Sequence, residues 1–90
     1  MEAKFEKACR LVRESNFQVD DDEKLMLYAL YKLATLGKTK KEDRPATLDP
    51  TQIAKWHAWY DFSMHHKPDE AKTLYVKLVS EFYKRELKNT

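Results

Sequence analysis

The sequence predicts an all-α fold of four helices with a long link between the second and the third. Three observations carry this. Apolar residues recur at helical spacing in four separate stretches. Two of those stretches open on proline, and two open on an acidic residue placed to cap them. The segment between the second and third stretches, residues 38–48, shows no apolar period at all.

The first helix is expected over about residues 3–15, because Phe5, Ala8, Cys9 and Val12 fall at i, i+3, i+4 and i+7. Arg10 and Arg13 lie off that stripe, with Arg13 on its flank. Cys9 reads as a small core residue, with nothing near it in sequence to activate a thiol. The second helix is expected over about 22–36. Asp20 is placed to cap it and Glu23 to complete a capping box. Leu25, Met26, Leu27, Leu30, Leu33 and Leu36 are too many for one stripe, so the helix is buried on more than one side or exposes an apolar groove. Gly37, the only glycine, stops it.

Helix-to-helix links in bundles usually take about 2–8 residues. The stretch from Lys38 to Leu48 is longer and contains Arg44-Pro45. Helices 2 and 3 therefore need not be antiparallel neighbours, and a crossover is expected. Asp49-Pro50-Thr51-Gln52 then gives a cap, a first-turn proline and a reciprocal cap, opening a helix over about 50–63. Trp56 and Trp59 read as core, whereas Lys55 points away from their stripe. Pro68-Asp69-Glu70 opens the last helix, which runs to about residue 86 on Ala71, Leu74, Tyr75, Leu78 and Phe82. Lys67 before it is a poor cap.

Ninety residues make one domain, taken as 1–90. Charged residues are 36% and hydrophobic ones 42%, as in ordinary globular chains. A net charge of +2 is too small for a dedicated nucleic-acid binder, though it leaves room for a basic patch. A single cysteine excludes an internal disulfide and suits a reducing compartment. Neither a signal-like apolar run nor a membrane-length segment is visible, so a cytoplasmic protein is expected.

Signatures of catalysis are absent: there is no glycine-rich phosphate loop, no nucleophile elbow and no Cys-x-x-Cys. His57, His65 and His66 do not form an i, i+4 pair, so no metal site is expected. What remains is a group of aromatic and cationic residues. Tyr28, Tyr31 and Lys32 fall on one helical face, and Lys55 offers a cation from the next helix. Tyr75 and Arg13 are further candidates. Lysine holds phosphate as a point charge and arginine as a fork. Tyrosine stacks on a base at roughly 1–3 kcal/mol. The pattern suits an anionic ligand that contains a base.

These residues resemble the acyl-CoA-binding protein family. Its members carry Tyr-x-x-Tyr-Lys-Gln-Ala-Thr-x-Gly, then Arg-Pro-Gly-x-x-Asp, then Lys-Ala-Lys-Trp-x-Ala-Trp. Here the runs are Tyr28-Ala-Leu-Tyr31-Lys32-Leu33-Ala34-Thr35-Leu36-Gly37, then Arg44-Pro45-Ala46-Thr47-Leu48-Asp49, then Ile53-Ala54-Lys55-Trp56-His57-Ala58-Trp59. The resemblance extends from Phe5 to about Tyr83.

It implies a four-helix bundle in up-down-down-up order and a non-enzymatic carrier of medium- and long-chain acyl-CoA, with no cofactor and no metal. It also implies a monomer with at most transient contact with membranes or acyl-CoA-using enzymes. By the same resemblance, Lys32 and Lys55 bind the 3′-phosphate with help from Tyr28. Tyr31 stacks the adenine, Tyr75 closes the site and Arg13 meets the phosphates. The acyl chain lies along helix 2 near Leu25, and Ala29 and Leu30 are counted among the residues that bind the ligand.

The sequence departs from the family pattern in several places. Leu33 stands for glutamine, Lys38 for an acid, Ala46 for glycine and Ile53 for lysine. Lys24 stands for an apolar residue of the acyl groove, and the link to Arg44 is one residue longer. Two rival readings compete: a nucleic-acid-binding helical domain, and a protein-interaction module that has kept the fold and lost the ligand.

Overall fold

The structure, a computed structural model, describes residues 2–88. It contains α1 (Glu2–Glu14), α2 (Asp21–Leu36), α3 (Pro50–His65) and α4 (Pro68–Lys88), with a 3-10 turn at Lys41–Asp43 in the link. No strand occurs among the described residues.

Helices α2, α3 and α4 start where side chains satisfy their first free N–H groups. At α2 the capping box is complete. Asp20 Oδ1 accepts from Glu23 N at 2.8 Å, and Glu23 Oε1 accepts from Asp20 N at 3.0 Å. At α3 only half of the expected arrangement forms. Asp49 Oδ1 accepts from Thr51 N at 2.9 Å. The Asp49 N–H donates to Thr47 Oγ1 at 3.1 Å, so the link and not Gln52 supplies the second half. At α4 the Lys67 side chain caps nothing, and Glu70 reaches back to accept from Lys67 N at 3.0 Å.

Helix α3 runs two residues further than the aromatic pattern predicts. Its last turn is held by the His66 N–H on Phe62 O, and His65 Nδ1 lies 2.8 Å from Asp61 O. Gly37 ends α2 at φ 86, where a side chain would be strained, and its N–H donates to Leu33 O.

The helix directions follow from which ends meet. Lys72 of α4 pairs with Glu2, and further along Lys84 lies across a groove from Lys7 and Leu11, so α1 and α4 run parallel. Arg85, near the end of α4, pairs with Glu23 at the start of α2, so those two are antiparallel. Asp21 and Lys24 share a groove with Pro50 and Thr51, while Gly37 meets Trp59, so α2 and α3 are parallel. The order is up-down-down-up.

Parallel neighbours cannot be joined by a tight turn. The link must return along a helix of about 24 Å, and residues 37–49, with an extended reach of about 43–47 Å, can do so.

Helix α2 is sandwiched between α3 and α4, which is why its leucines exceed one stripe. The core gathers Phe5, Ala8 and Cys9 of α1, Leu30, Leu33 and Ala34 of α2, and Ala71, Tyr75 and Val79 of α4. Phe82 extends it to Phe17, with ring centroids 6.0 Å apart.

The Arg85–Glu23 pair joins the capping box of α2 to the far end of α4. Arg85 Nη1 lies 2.9 Å from Glu23 Oε2, and Nη2 also donates to Gln18 O. The guanidinium first, and the Asp20 N–H second, hold the Glu23 carboxyl below its ordinary 4.5. A lowered folded-state value means that the stabilisation is complete above about pH 4.5 and fades as the pH falls through the folded value. Arg85→Gln should therefore lower stability near neutrality, where the pair is fully formed, and flatten the acid limb, so that the variant and the parent converge as the pH falls below about 4.5. Urea unfolding at a series of pH values checks this.

Candidate functional site

Helix α2 presents its chemistry to two sides. Residues 28 and 31 differ by three positions, and 28 and 32 by four, so Tyr31 and Lys32 diverge by about 100° around the axis. The single stripe expected for Tyr28, Tyr31 and Lys32 is thus split. Tyr28 and Lys32 turn toward α3. Tyr31 turns toward α1, its ring 6.3 Å from Phe5 and 6.3 Å from Tyr75.

On the α3 side the two lysines converge. Lys32 Nζ lies 5.5 Å from the centre of the Tyr28 ring, and Lys55 Nζ lies 5.3 Å from the same centre. Lys32 is also 5.7 Å from the Trp59 ring. The arrangement depends on α2 and α3 being parallel, since Lys55 and Tyr28 then sit at the same level. Among the described residues neither ammonium pairs with a carboxylate. Aromatic faces steady the two cations without neutralising them. Each remains free to meet an outside anion.

Trp59 fixes this wall. Its Nε1 donates to Gly37 O at 2.9 Å, and its own carbonyl accepts from Ser63 Oγ, which in turn accepts from Thr39 N at 3.1 Å. Trp56 is buried and stacks on Tyr60 at 5.0 Å. The expectation that the tryptophans are structural holds for Trp56. Trp59 is structural at its nitrogen and faces the lysine cluster with its ring. That second role rests on a hydrogen bond spanning 22 residues, which no local pattern reveals.

On the α1 side Tyr31, 42% exposed, closes a hollow of about 320 Å³ with Phe5, Glu6, Cys9, Arg10, Arg13 and Thr35. Arg13 is exposed and so can swing toward an anion there. Tyr75 lies beneath, almost fully buried, with its ring edge-on to Phe5 at 5.3 Å. Burial above all, and then the neighbouring Cys9 thiol, push the Tyr75 phenol far above its ordinary value, so it stays a neutral hydroxyl. Burial likewise raises the Cys9 thiol, which is not poised as a nucleophile.

Below the lysines, a groove of about 400 Å³ runs between α2 and α3 to their N-terminal ends. It is lined by Asp21, Lys24, Leu25 and Tyr28 on one wall and Pro50, Thr51, Ala54 and Lys55 on the other. Leu25 therefore lies where an apolar chain could rest. Ala29 and Leu30 do not reach this groove. They are 0% and 2% exposed and turned into the core, where Leu30 meets Leu74 and Leu78 of α4. Four lining residues beyond the expected set, Asp21, Pro50, Thr51 and Ala54, follow once Leu25, Tyr28 and Lys55 are fixed, at one-turn spacing.

Among the described residues no group of three or more His, Cys, Asp or Glu side chains could hold a metal, and no helix is long and apolar enough to cross a membrane. The fold and cluster together define a small helical ligand-binding domain with free cations at an aromatic site.

Comparison with known proteins gives that class its family. A family model described as acyl CoA binding protein matches residues 2–79, and the chain belongs to this family of acyl-CoA-binding proteins. It is 36% identical over 85 residues to the rat protein diazepam-binding inhibitor-like 5, covering 94% of this chain and 95% of that one. It is 37% identical over 81 residues to acyl-CoA-binding protein homolog 1 of Caenorhabditis elegans, covering 90% and 92%. The crystal structure of Oryza sativa acyl-CoA-binding protein 2 superposes with a TM-score of 0.89 at 26% identity, covering 99% of this chain and 97% of that one. Family membership supports acyl-CoA binding, and the family consists of binding proteins rather than enzymes.

Proposed function

We infer that this chain binds medium- and long-chain acyl-CoA esters with high affinity and acts as a cytoplasmic, monomeric carrier and buffer of the acyl-CoA pool. The observation that carries the reading is the pair of free ammonium groups over one tyrosine ring, at the mouth of an apolar groove.

The head group of an acyl-CoA carries roughly four negative charges, nearly two of them on its phosphomonoester. Lys32 and Lys55 would take that phosphomonoester, with the Tyr28 hydroxyl as a further donor. Tyr31 offers a half-exposed ring for the adenine, and Arg13 a cation for the remaining phosphates. The acyl chain would follow the groove past Leu25, contributing roughly 0.8 kcal/mol for each methylene fully removed from water. Tyr75 would act from beneath by holding Tyr31 and Phe5 in place. Nothing in this scheme transfers a proton or an electron pair.

Isothermal calorimetry with palmitoyl-CoA, free CoA and palmitate is the test. The expected order is strong binding of the ester, weak binding of CoA and almost none of palmitate. Tighter binding of palmitate than of CoA would remove the role given to the lysines. Binding to duplex DNA as strong as to the ester, and falling steeply with salt, would favour a nucleic-acid module. No binding of any of these would leave a protein-interaction module.

A further inference from the structure

The α2–α3 groove does not keep one character along its length. At its inner end stand Tyr28 and Lys55, and its middle is Leu25 and Ala54. At its outer end, where both helices begin, it is lined by Asp21, Lys24, Pro50 and Thr51. Lys24 and Asp21 are exposed, and among the described residues neither forms an ion pair. Both are hydrated charges at the point where an apolar chain would leave the Leu25 wall.

We propose that this charged lip sets the acyl-chain preference of the site, so that the chain-length gain in affinity stops at medium-chain acyl groups. The proposal rests on the acyl-CoA reading above and deepens it.

From Tyr28 back to Asp21 the helix covers about 10 Å. An extended chain advances about 1.2 Å per bond, so about eight carbons lie against the wall before they reach the lip. Each methylene fully removed from water multiplies affinity by about four. Carbons beyond the lip have two choices. They stay in water and add nothing, or they press on Lys24 and Asp21 and strip water from unpaired charges, which opposes binding. A leucine at position 24 would continue the wall started by Leu25 and remove one of the two charges.

The test is calorimetry with decanoyl-CoA and palmitoyl-CoA, below the concentrations at which the esters form micelles, on the unaltered protein and on Lys24→Leu. The unaltered protein is expected to bind palmitoyl-CoA less than tenfold more tightly than decanoyl-CoA. In Lys24→Leu that ratio is expected to grow at least tenfold, while decanoyl-CoA, whose last two carbons pass the lip, gains at most about sixteenfold. A ratio above tenfold in the unaltered protein, or one that Lys24→Leu increases by less than tenfold, overturns the proposal and leaves the acyl-CoA reading standing. If neither ester binds, both fall together. Lys24→Met is the second variant, which gives the same result if apolar continuity and not leucine's shape is what matters. Far-UV circular dichroism confirms that each variant remains folded.

Discussion

Replacing Leu33 with alanine should destabilise the fold by about 2–5 kcal/mol, the range for truncating a fully enclosed leucine. Leu33 has no exposed surface and sits where α1, α2 and α4 meet, among Phe5, Ala34, Tyr75 and Val79. The truncation loses the transfer energy of the removed carbons and leaves a space that rigid helices fill poorly. Denaturant unfolding reads the loss directly, as a lower midpoint at an unchanged slope. The result also bears on function, because Leu33 neighbours Lys32. The acyl-CoA affinity of the folded fraction should stay within a few fold, since the leucine faces inward and the lysine faces α3. A Leu33→Ala protein as stable as the parent would mean that the core is not arranged as described.

The second large effect concerns the lysine pair. Lys32→Ala and Lys55→Ala should each weaken palmitoyl-CoA binding by about 1–3 kcal/mol, the usual cost of removing one charged partner from a phosphate contact. The double variant should lose less than the sum. Both ammoniums lie over the same ring, within 5.5 Å of its centre, so they answer to one group on the ligand. Groups that share a partner couple, and groups that do not share one add. Strict additivity in a calorimetric double-mutant cycle would therefore place the two lysines on different parts of the ligand. Raising the salt concentration should shrink both single effects, because the cluster is only half-buried.

Much of this was legible before any coordinates. The four helices announce themselves through apolar spacing, two of the four starts through their capping residues and a third through its proline and first-turn acids. The long second link already argues against simple antiparallel neighbours, and the parallel run of α2 and α3 is what that length permits. Lys55 was readable as pointing away from its tryptophans, and that direction brings it to Tyr28.

The failures share a cause: they depend on groups far apart in sequence. Trp59 could be read as core from its neighbours, but its bond to Gly37 and its contact with Lys32 belong to the α2–α3 interface. Gln52 has the right type and place for a reciprocal cap, yet Thr47 reaches the same N–H from the other side. Tyr28, Tyr31 and Lys32 lie close enough in angle to share a face, but α1 and α3 claim opposite edges of it. Leu33 departs from the family's glutamine, and the enclosed site it occupies explains why an apolar residue fits.

The link between α2 and α3 is fastened to the body of α3 at its beginning, and at its far end by Thr47 on the Asp49 N–H alone. Gly37 and Thr39 are bolted to Trp59 and Ser63, whereas from Lys40 to Leu48 the chain lies mostly open to water, ending on a leucine that is 96% exposed. Natural variation in segment length has a safe place to occur. A residue gained or lost between Thr39 and Thr47 is absorbed in the outer arc, while the same change upstream would drag Trp59 and disturb the lysine at its face. The additional residue before Arg44 falls within that permissive arc.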